Sequence, residues 1–112
     1  MIMRKCPIKA RGYCQNGKDI YTLKDRKGIE FPVICGEDCH AVILNSKPVF
    51  TADIIHSIRA SKINSLRLNF SVENSDQCGK IVGVYRAALE GKKIEPMAEN
   101  TFTRGHLRRG IL

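Results

Sequence analysis

The sequence predicts an α/β protein in which a β-hairpin is followed by a βαβα unit. Three patterns lead to this prediction. Polar and apolar residues alternate on both sides of a turn signal at residues 25–28, as in a half-buried hairpin. An unbroken apolar run at residues 41–44 is typical of a strand buried on both faces. Two later segments repeat apolar residues at helical spacing, and a second alternating segment lies between them.

The hairpin is predicted from residues 19–24 and 29–34, on either side of the turn. Pro32 has no backbone N–H to donate, so it favours an edge position for the second strand. The open ends of the hairpin lie near Cys14 and Cys35 in the sequence. The hairpin therefore brings two cysteines that are far apart in the chain close together in space.

The βαβα unit is assigned to strands at residues 41–44 and 66–70 and to helices at residues 51–61 and 76–90. The expected N-caps are Thr51 for the first helix and Asn74 or Ser75 for the second. Since each strand is followed by a helix, the two strands are expected to pair in parallel through a right-handed crossover.

Two parallel strands leave unpaired edges and an uncovered face. We therefore expect residues 1–40 to form a cysteine-rich loop and hairpin region and residues 41–112 to form the βαβα scaffold with a basic tail, within one partial domain. The chain begins as though in the middle of a strand, at residues 1–3. The expectation is a piece of a larger sheet or barrel, completed by the remainder of a longer polypeptide or by self-association.

Length and hydropathy limit the classes of protein to which the chain can belong. At 112 residues it is at most one small domain, and 43% hydrophobic residues fit a folded protein. The sequence has neither a signal-peptide pattern nor an apolar run long enough for a transmembrane helix. A cytoplasmic protein is therefore expected, and in a reducing compartment cysteines favour metal binding or reactivity over disulfides.

The charge is strongly basic. Nineteen Lys and Arg against eleven Asp and Glu give a formal net charge of +8, which attracts RNA and other polyanions. The basic residues are scattered along the chain, which is also what an ordinary solvated surface looks like. RNA is therefore an expected partner, and the alternative is that the basic residues only form an ordinary solvated surface.

Four of the five cysteines lie in the first 40 residues. Cys6, Cys14, Cys35 and Cys39 are separated by seven, twenty and three residues. Thiolates are soft ligands that suit zinc or an iron-sulfur cluster, and the spacing matches neither a zinc ribbon nor a bacterial ferredoxin. Buried or merely reactive thiols are the alternative. His40 is a possible nitrogen ligand in a zinc site, although a lone histidine is more often a solvated side chain.

Three further side chains have chemical interest. Cys78 lies on the apolar stripe of the second predicted helix, so it is expected in the core and not among the ligands. Arg104 and His106 flank a glycine in the tail, where a guanidinium and an imidazole are able to bind a carboxylate or phosphate. An ordinary basic loop is the equal alternative.

Five short segments, taken in order, resemble the C-terminal part of the collagenase-like peptidase family U-32. These segments are CPIK at residues 6–9, LKDRKG at 23–28, FPV at 31–33, ILNSKP at 43–48 and FTRGH at 102–106. The resemblance covers nearly the whole chain. It implies the closing strands and helices of a TIM-like barrel in a protein several times longer.

The resemblance also implies a function. The family is classed as peptidases, and related members are oxygen-independent hydroxylation proteins that act on RNA or a quinone precursor, some of them with a four-iron cluster on four cysteines. The resemblance implies that Cys6, Cys14, Cys35 and Cys39 occupy the positions of the cluster ligands. Several relatives have their last cysteine where this chain has residues 48–50, Pro-Val-Phe.

The sequence therefore leaves three alternative functions. The first is a segment of an iron-sulfur enzyme that hydroxylates RNA or a small aromatic substrate. The second is a peptidase, for which no Gly-x-Ser-x-Gly or His-Glu-x-x-His motif is present, so its catalytic residues are unassigned. The third is a non-enzymatic zinc-binding module that docks on RNA.

Overall fold

The computed structural model describes residues 1–15 and 18–105. The chain has a mixed α/β fold and divides into two compact units, Met1–Ser46 and Lys47–Leu112. Each unit has its own small hydrophobic core.

The first unit is built on a four-stranded antiparallel sheet in the order β1-β4-β3-β2. Its strands are β1 (Ile2–Met3), β2 (Ile20–Lys24), β3 (Glu30–Cys35) and β4 (Ala41–Ile43). A single helical turn, α1 (Pro7–Ala10), follows β1. The side chains buried in this core are Cys6, Ile8, Tyr21, Val33 and Ala41.

The predicted hairpin is confirmed. β2 pairs with β3 from Ile20 opposite Ile34 to Lys24 opposite Glu30. The Asp25 carboxylate accepts backbone hydrogen bonds from Lys27 and Ile29, at 2.7 and 2.9 Å, and so closes the turn.

The edge position expected for β3 is wrong, because β3 lies between β4 and β2. Pro32 is tolerated there because pairing with β4 ends beside it. The Pro32 carbonyl accepts the Leu44 amide at 2.8 Å, and the regular β3–β4 register covers only Val33 to Cys35. The missing N–H of proline therefore falls where the ladder stops.

The second unit contains α2 (Ile55–Ala60), preceded by a 3₁₀ turn at Ala52–Ile54, and the long helix α3 (Ser75–Leu89). Both predicted helices are therefore present. Asn74 is the N-cap of α3, and it forms a capping box in which Asn74 and Gln77 exchange two hydrogen bonds of 2.9 Å. Within the described residues, no helix has the length and apolar character needed to cross a membrane.

The parallel strand pair of the predicted βαβα unit is not formed among the described residues. β4 pairs antiparallel with β1 on one side and β3 on the other, so both of its hydrogen-bonding edges are occupied. Residues 66–70 have no regular secondary structure, and of their apolar side chains Leu68 packs on the core of the second unit. The predicted strand at residues 66–70 is therefore wrong, because strand formation depends on a free neighbouring edge, which β4 does not offer.

Candidate metal centre

Cys6 is the buried centre of the thiol-rich region, with 7% of its surface exposed. It is the N-cap residue of α1, and Pro7 follows at the first helical position, where its fixed φ suits the turn. The amides of Lys9 and Ile8 approach the Cys6 sulfur without closing a full capping hydrogen bond. The Lys9 amide is the main reason why the pKa of Cys6 lies below its ordinary value in spite of burial.

Cys35 lies at the end of β3 and packs against Cys6. Its pKa is raised, first by burial and then by the negative charge of the neighbouring Cys6 and a hydrogen bond with it. The two opposite shifts have one geometric cause, the closeness of the Cys35 side chain to Cys6, and they favour loss of the proton from Cys6 before Cys35. Two sulfurs that the sequence separates by 28 residues are thus in direct contact.

Cys14 lies on an exposed loop that is fastened to the sheet by its neighbour Gln15. The Gln15 amide donates to the Tyr21 hydroxyl at 2.8 Å, and that hydroxyl is 3.0 Å from the Gln15 carbonyl oxygen. Tyr21 is a core residue of β2, so the loop is held beside the β-hairpin. Cys14 is close enough to Cys35 for its charge to contribute to the raised pKa of Cys35.

Cys39 ends the tight turn at Glu37–Cys39 that joins β3 to β4. Asp38 and Cys39 both adopt left-handed backbone angles, with φ of 57° and 58°, which non-glycine residues adopt only when the surroundings hold them there. The Gly36 amide donates to the His40 carbonyl at 2.8 Å and closes the turn. This arrangement presents the exposed Cys39 sulfur 3.7 Å from the ammonium of Lys9.

A cavity of about 300 Å³ joins two of the four thiols. Its lining consists of Arg4, Lys5, Cys6, Lys9, Ala10 and Cys39. Within the described residues, no group of three or more His, Cys, Asp or Glu side chains is already arranged to hold a metal ion. Metal binding therefore requires the loops that carry Cys14 and Cys39 to close on the Cys6–Cys35 pair, and the choice of these four ligands stays a prediction, as does the alternative ligand His40.

Cys78 is in the second unit, half-buried on α3. Its sulfur lies 3.9 Å from the carbonyl oxygen of Glu73, one turn earlier in the chain. The thiol therefore contacts the backbone just before the start of its own helix. The fifth cysteine thus differs from the other four in both location and contacts.

Arg104, one of the two predicted anion-binding residues, is engaged within the second unit. Its guanidinium forms a two-pronged ion pair with Asp53 and donates to the Phe50 carbonyl at 2.9 Å. It also lies over the Phe102 ring, 4.7 Å from the centroid. The hydrogen bonds that Arg104 donates to Asp53 are the main cause of its raised pKa.

An external carboxylate or phosphate would have to compete with Asp53 for the same donors of Arg104. The other predicted residue of this anion site, His106, lies outside the described residues. The anion site therefore stays a prediction, and an internal structural ion pair is its physical competitor.

Two residues of these sites were missed by sequence reasoning. Lys9 lies in the CPIK segment, and its contact with Cys39, 30 residues later in the chain, was not predicted. Asp53 pairs with Arg104, 51 residues later in the chain, and no local sequence pattern predicts that contact.

No protein-family model, curated protein or solved structure matches this chain.

Proposed function

We propose that the chain is a segment of a U-32 peptidase-like protein that holds a four-iron cluster and takes part in oxygen-independent hydroxylation of RNA or a small aromatic substrate. The observation that best supports the metal centre is the Cys6–Cys35 pair, two thiols that lie together at the core of the first unit. The substrate class and the larger barrel rest on the resemblance of the five segments.

The donor set fits an iron-sulfur cluster in its chemistry. The pKa of Cys6 is lowered, which favours the deprotonated form that metals bind, and Cys35 lies against it. Cys14 and Cys39 are exposed on the connections that flank the hairpin, so the proposal requires these connections to move toward the pair. A bound cluster would supply one-electron chemistry.

The structural elements around the sulfurs position each cysteine in a different way. The α1 turn orients Cys6, β3 fixes Cys35, and the Gln15–Tyr21 hydrogen bonds limit how far the Cys14 loop can move. The core of β-strand side chains beneath Cys6 excludes water from one side of the site. These features make a pre-organised half-site that two flexible ligands complete.

A zinc-binding module that docks on RNA is the second candidate, because the same four thiols suit tetrahedral zinc. The peptidase alternative gains no support from Cys6, whose lowered pKa is caused by the Lys9 amide and other neighbours that include no imidazole base.

The test is to purify the full chain without oxygen and to measure iron, sulfide and zinc per chain together with the visible spectrum. A brown protein with about four irons per chain supports the proposal. A colourless protein with stoichiometric zinc favours the second candidate, and a protein that binds neither metal after reduction and reconstitution overturns both. Mass spectrometry of RNA from cells with and without the gene then tests hydroxylation, which a zinc module would leave unchanged.

A further inference from the structure

Two connections of the first unit leave its sheet at the same end. β1 ends at Met3, which pairs with Ala41 at the start of β4. Because these strands are antiparallel, the chain that leaves β1 lies beside the turn that enters β4. The first connection contains α1, and the second is the turn that ends at Cys39. Residues of both connections line the cavity of about 300 Å³.

This cavity is positively charged. Three of the six residues that line it are the cations Arg4, Lys5 and Lys9, and no carboxylate contributes to its described lining. All three are exposed, and within the described part of the chain none forms an ion pair with an acidic side chain. Like charges around one space repel each other, so an anion placed among them is stabilised.

The charge of this region is already one-sided in the sequence. Residues 1–18 contain no Asp or Glu, and the first acidic residue is Asp19. The basic residues of this segment are Arg4, Lys5, Lys9, Arg11 and Lys18. An ordinary solvated surface intersperses charges of both signs. The pairing of β1 with β4 and the α1 turn therefore place a segment without acidic residues at the cavity.

We propose that the cavity binds a phosphate group through charge-assisted hydrogen bonds from Arg4, Lys5 and Lys9. Its volume lies at the lower end of the range for small-ligand sites, so it has room for a phosphate and part of the group that carries it. The phosphate belongs to a free small molecule or to the backbone of RNA, which present the same kind of oxygens. The inference goes beyond the proposed function, since phosphate binding needs no metal ion.

The Cys39 sulfur is the partner that a phosphate displaces from Lys9. It lies 3.7 Å from the Lys9 ammonium. An ammonium has three N–H donors, and a thiol sulfur is only a weak acceptor. Phosphate oxygens are charged acceptors that form shorter and stronger hydrogen bonds. Unlike the closing of four thiols on a metal ion, this exchange keeps the observed arrangement of the loops.

The experiment titrates the reduced, metal-free full chain with inorganic phosphate and, separately, with a single-stranded oligouridine of about 12 nucleotides. Wild type is compared with a cavity variant, which combines Arg4→Gln, Lys5→Gln and Lys9→Gln. Amide NMR spectra of the wild type during the phosphate titration locate the site independently of any variant.

A turn variant is the matched control, and it combines Lys24→Gln, Arg26→Gln and Lys27→Gln. It removes the same residue types and the same total charge as the cavity variant. Its three residues are exposed, lie in or beside the hairpin turn of the same unit, and do not line the cavity. Far-UV spectra check that both variants are folded.

We expect the cavity variant to weaken phosphate binding by about tenfold and the turn variant to change it by less than about twofold, because only the first loses ion pairs with the ligand. Each lost contact with an RNA phosphate lowers the slope of log affinity against log salt by roughly 0.7, so three lost contacts lower it by about 2. In the wild type, phosphate is expected to shift the amide signals of residues 4–10 and of Cys39.

The two ligands distinguish the sources of the phosphate. Oligouridine binding that the cavity variant loses assigns the site to RNA, and binding of inorganic phosphate alone assigns it to a small phosphate-bearing molecule. Equal losses in the two variants overturn the inference, because they indicate diffuse attraction to the net charge of +8. Amide shifts confined to other residues, or a wild type that binds neither ligand, also overturn it. The metal centre is unaffected by these failures, since metal content decides it.

Discussion

One cluster of charged and polar side chains in each unit can be compared. In the second unit Arg104 pairs with Asp53, and the Tyr85 hydroxyl accepts the Thr51 amide at 3.0 Å. In the first unit the cations Arg4, Lys5 and Lys9 line a cavity together with two thiols and have no acidic partner in the described residues. A pair that is neutralised locally stabilises the fold, whereas a cation without an acidic partner has its interaction energy available for a ligand. We therefore expect substitutions in the first unit's cysteine-rich region to change ligand binding and substitutions in the second cluster to change stability.

The largest expected effect separates the cysteines of the two units. Cys35→Ser removes the thiol that contacts Cys6 and is expected to abolish stoichiometric metal binding, because the half-site loses one of its two fixed sulfurs. Cys78→Ser, on α3, is the matched change and is expected to leave metal content unchanged. Metal per chain, measured after reconstitution, checks both.

The opposite result would reverse the assignment of the two units. If Cys78→Ser lost the metal and Cys35→Ser retained it, the ligands would not be those of the first unit. An equal partial loss in both variants would indicate damage to folding, which the far-UV spectrum of each variant detects independently.

A smaller effect tests whether Arg104 belongs to the scaffold. Arg104→Lys cannot reproduce the two-pronged contact with Asp53, whose side chain is only 10% exposed, so it is expected to reduce the free energy of unfolding by about 1–2 kcal/mol. Arg67→Lys is the control, since Arg67 is exposed and has no side-chain contact in the described residues. Urea unfolding at pH 7 measures both.

Phosphate titration of the same variants tests the alternative, in which Arg104 binds an external anion. If Arg104→Lys kept full stability but lost affinity for phosphate, Arg104 would be an anion ligand and the second unit would share in the chemistry. Equal affinities of the two variants would leave the ion pair with Asp53 as the role of Arg104.

Sequence reasoning succeeded where the determining contacts are local. The β2–β3 hairpin, both helices and the Asn74 cap depend on alternation, helical spacing and capping residues within a few positions. The concentration of four cysteines was also visible without a structure. Such features need no knowledge of distant partners.

It failed where the outcome depends on contacts between distant residues. The alternation at residues 66–70 indicates an extended chain but not whether β4 has a free edge, and β1 from the start of the chain occupies that edge. The Arg104–Asp53 pair was missed for the same reason. The Cys6–Cys35 contact was anticipated only in outline, because the hairpin placed Cys35 near the region but α1 decides where Cys6 points.

The smallest expected effect concerns the entry to α3, where backbone amides stabilise the charged carboxylate of Glu73. Its carboxylate accepts the Ser71 amide at 2.8 Å and the Val72 amide at 3.2 Å. The Ser71 amide is the main reason why the pKa of Glu73 is lowered from 4.5, with its own amide next. The folded state therefore favours the charged form, so this contribution to stability is present above the unfolded-state pKa and is lost as the pH falls through the folded-state pKa.

Glu73→Gln keeps an acceptor but removes the charge, so it is expected to lower the free energy of unfolding at pH 7 by about 0.5 kcal/mol. The difference from wild type is expected to begin to shrink near pH 4.5 and to be lost only as the pH falls through the lower folded-state pKa, where the folded wild-type side chain also becomes neutral. Urea unfolding over a series of pH values from 7 downward measures this, with the exposed Glu95→Gln as control. A deficit that stayed constant over the whole series would mean that the shape of the side chain, and not its charge, fixes the entry to α3.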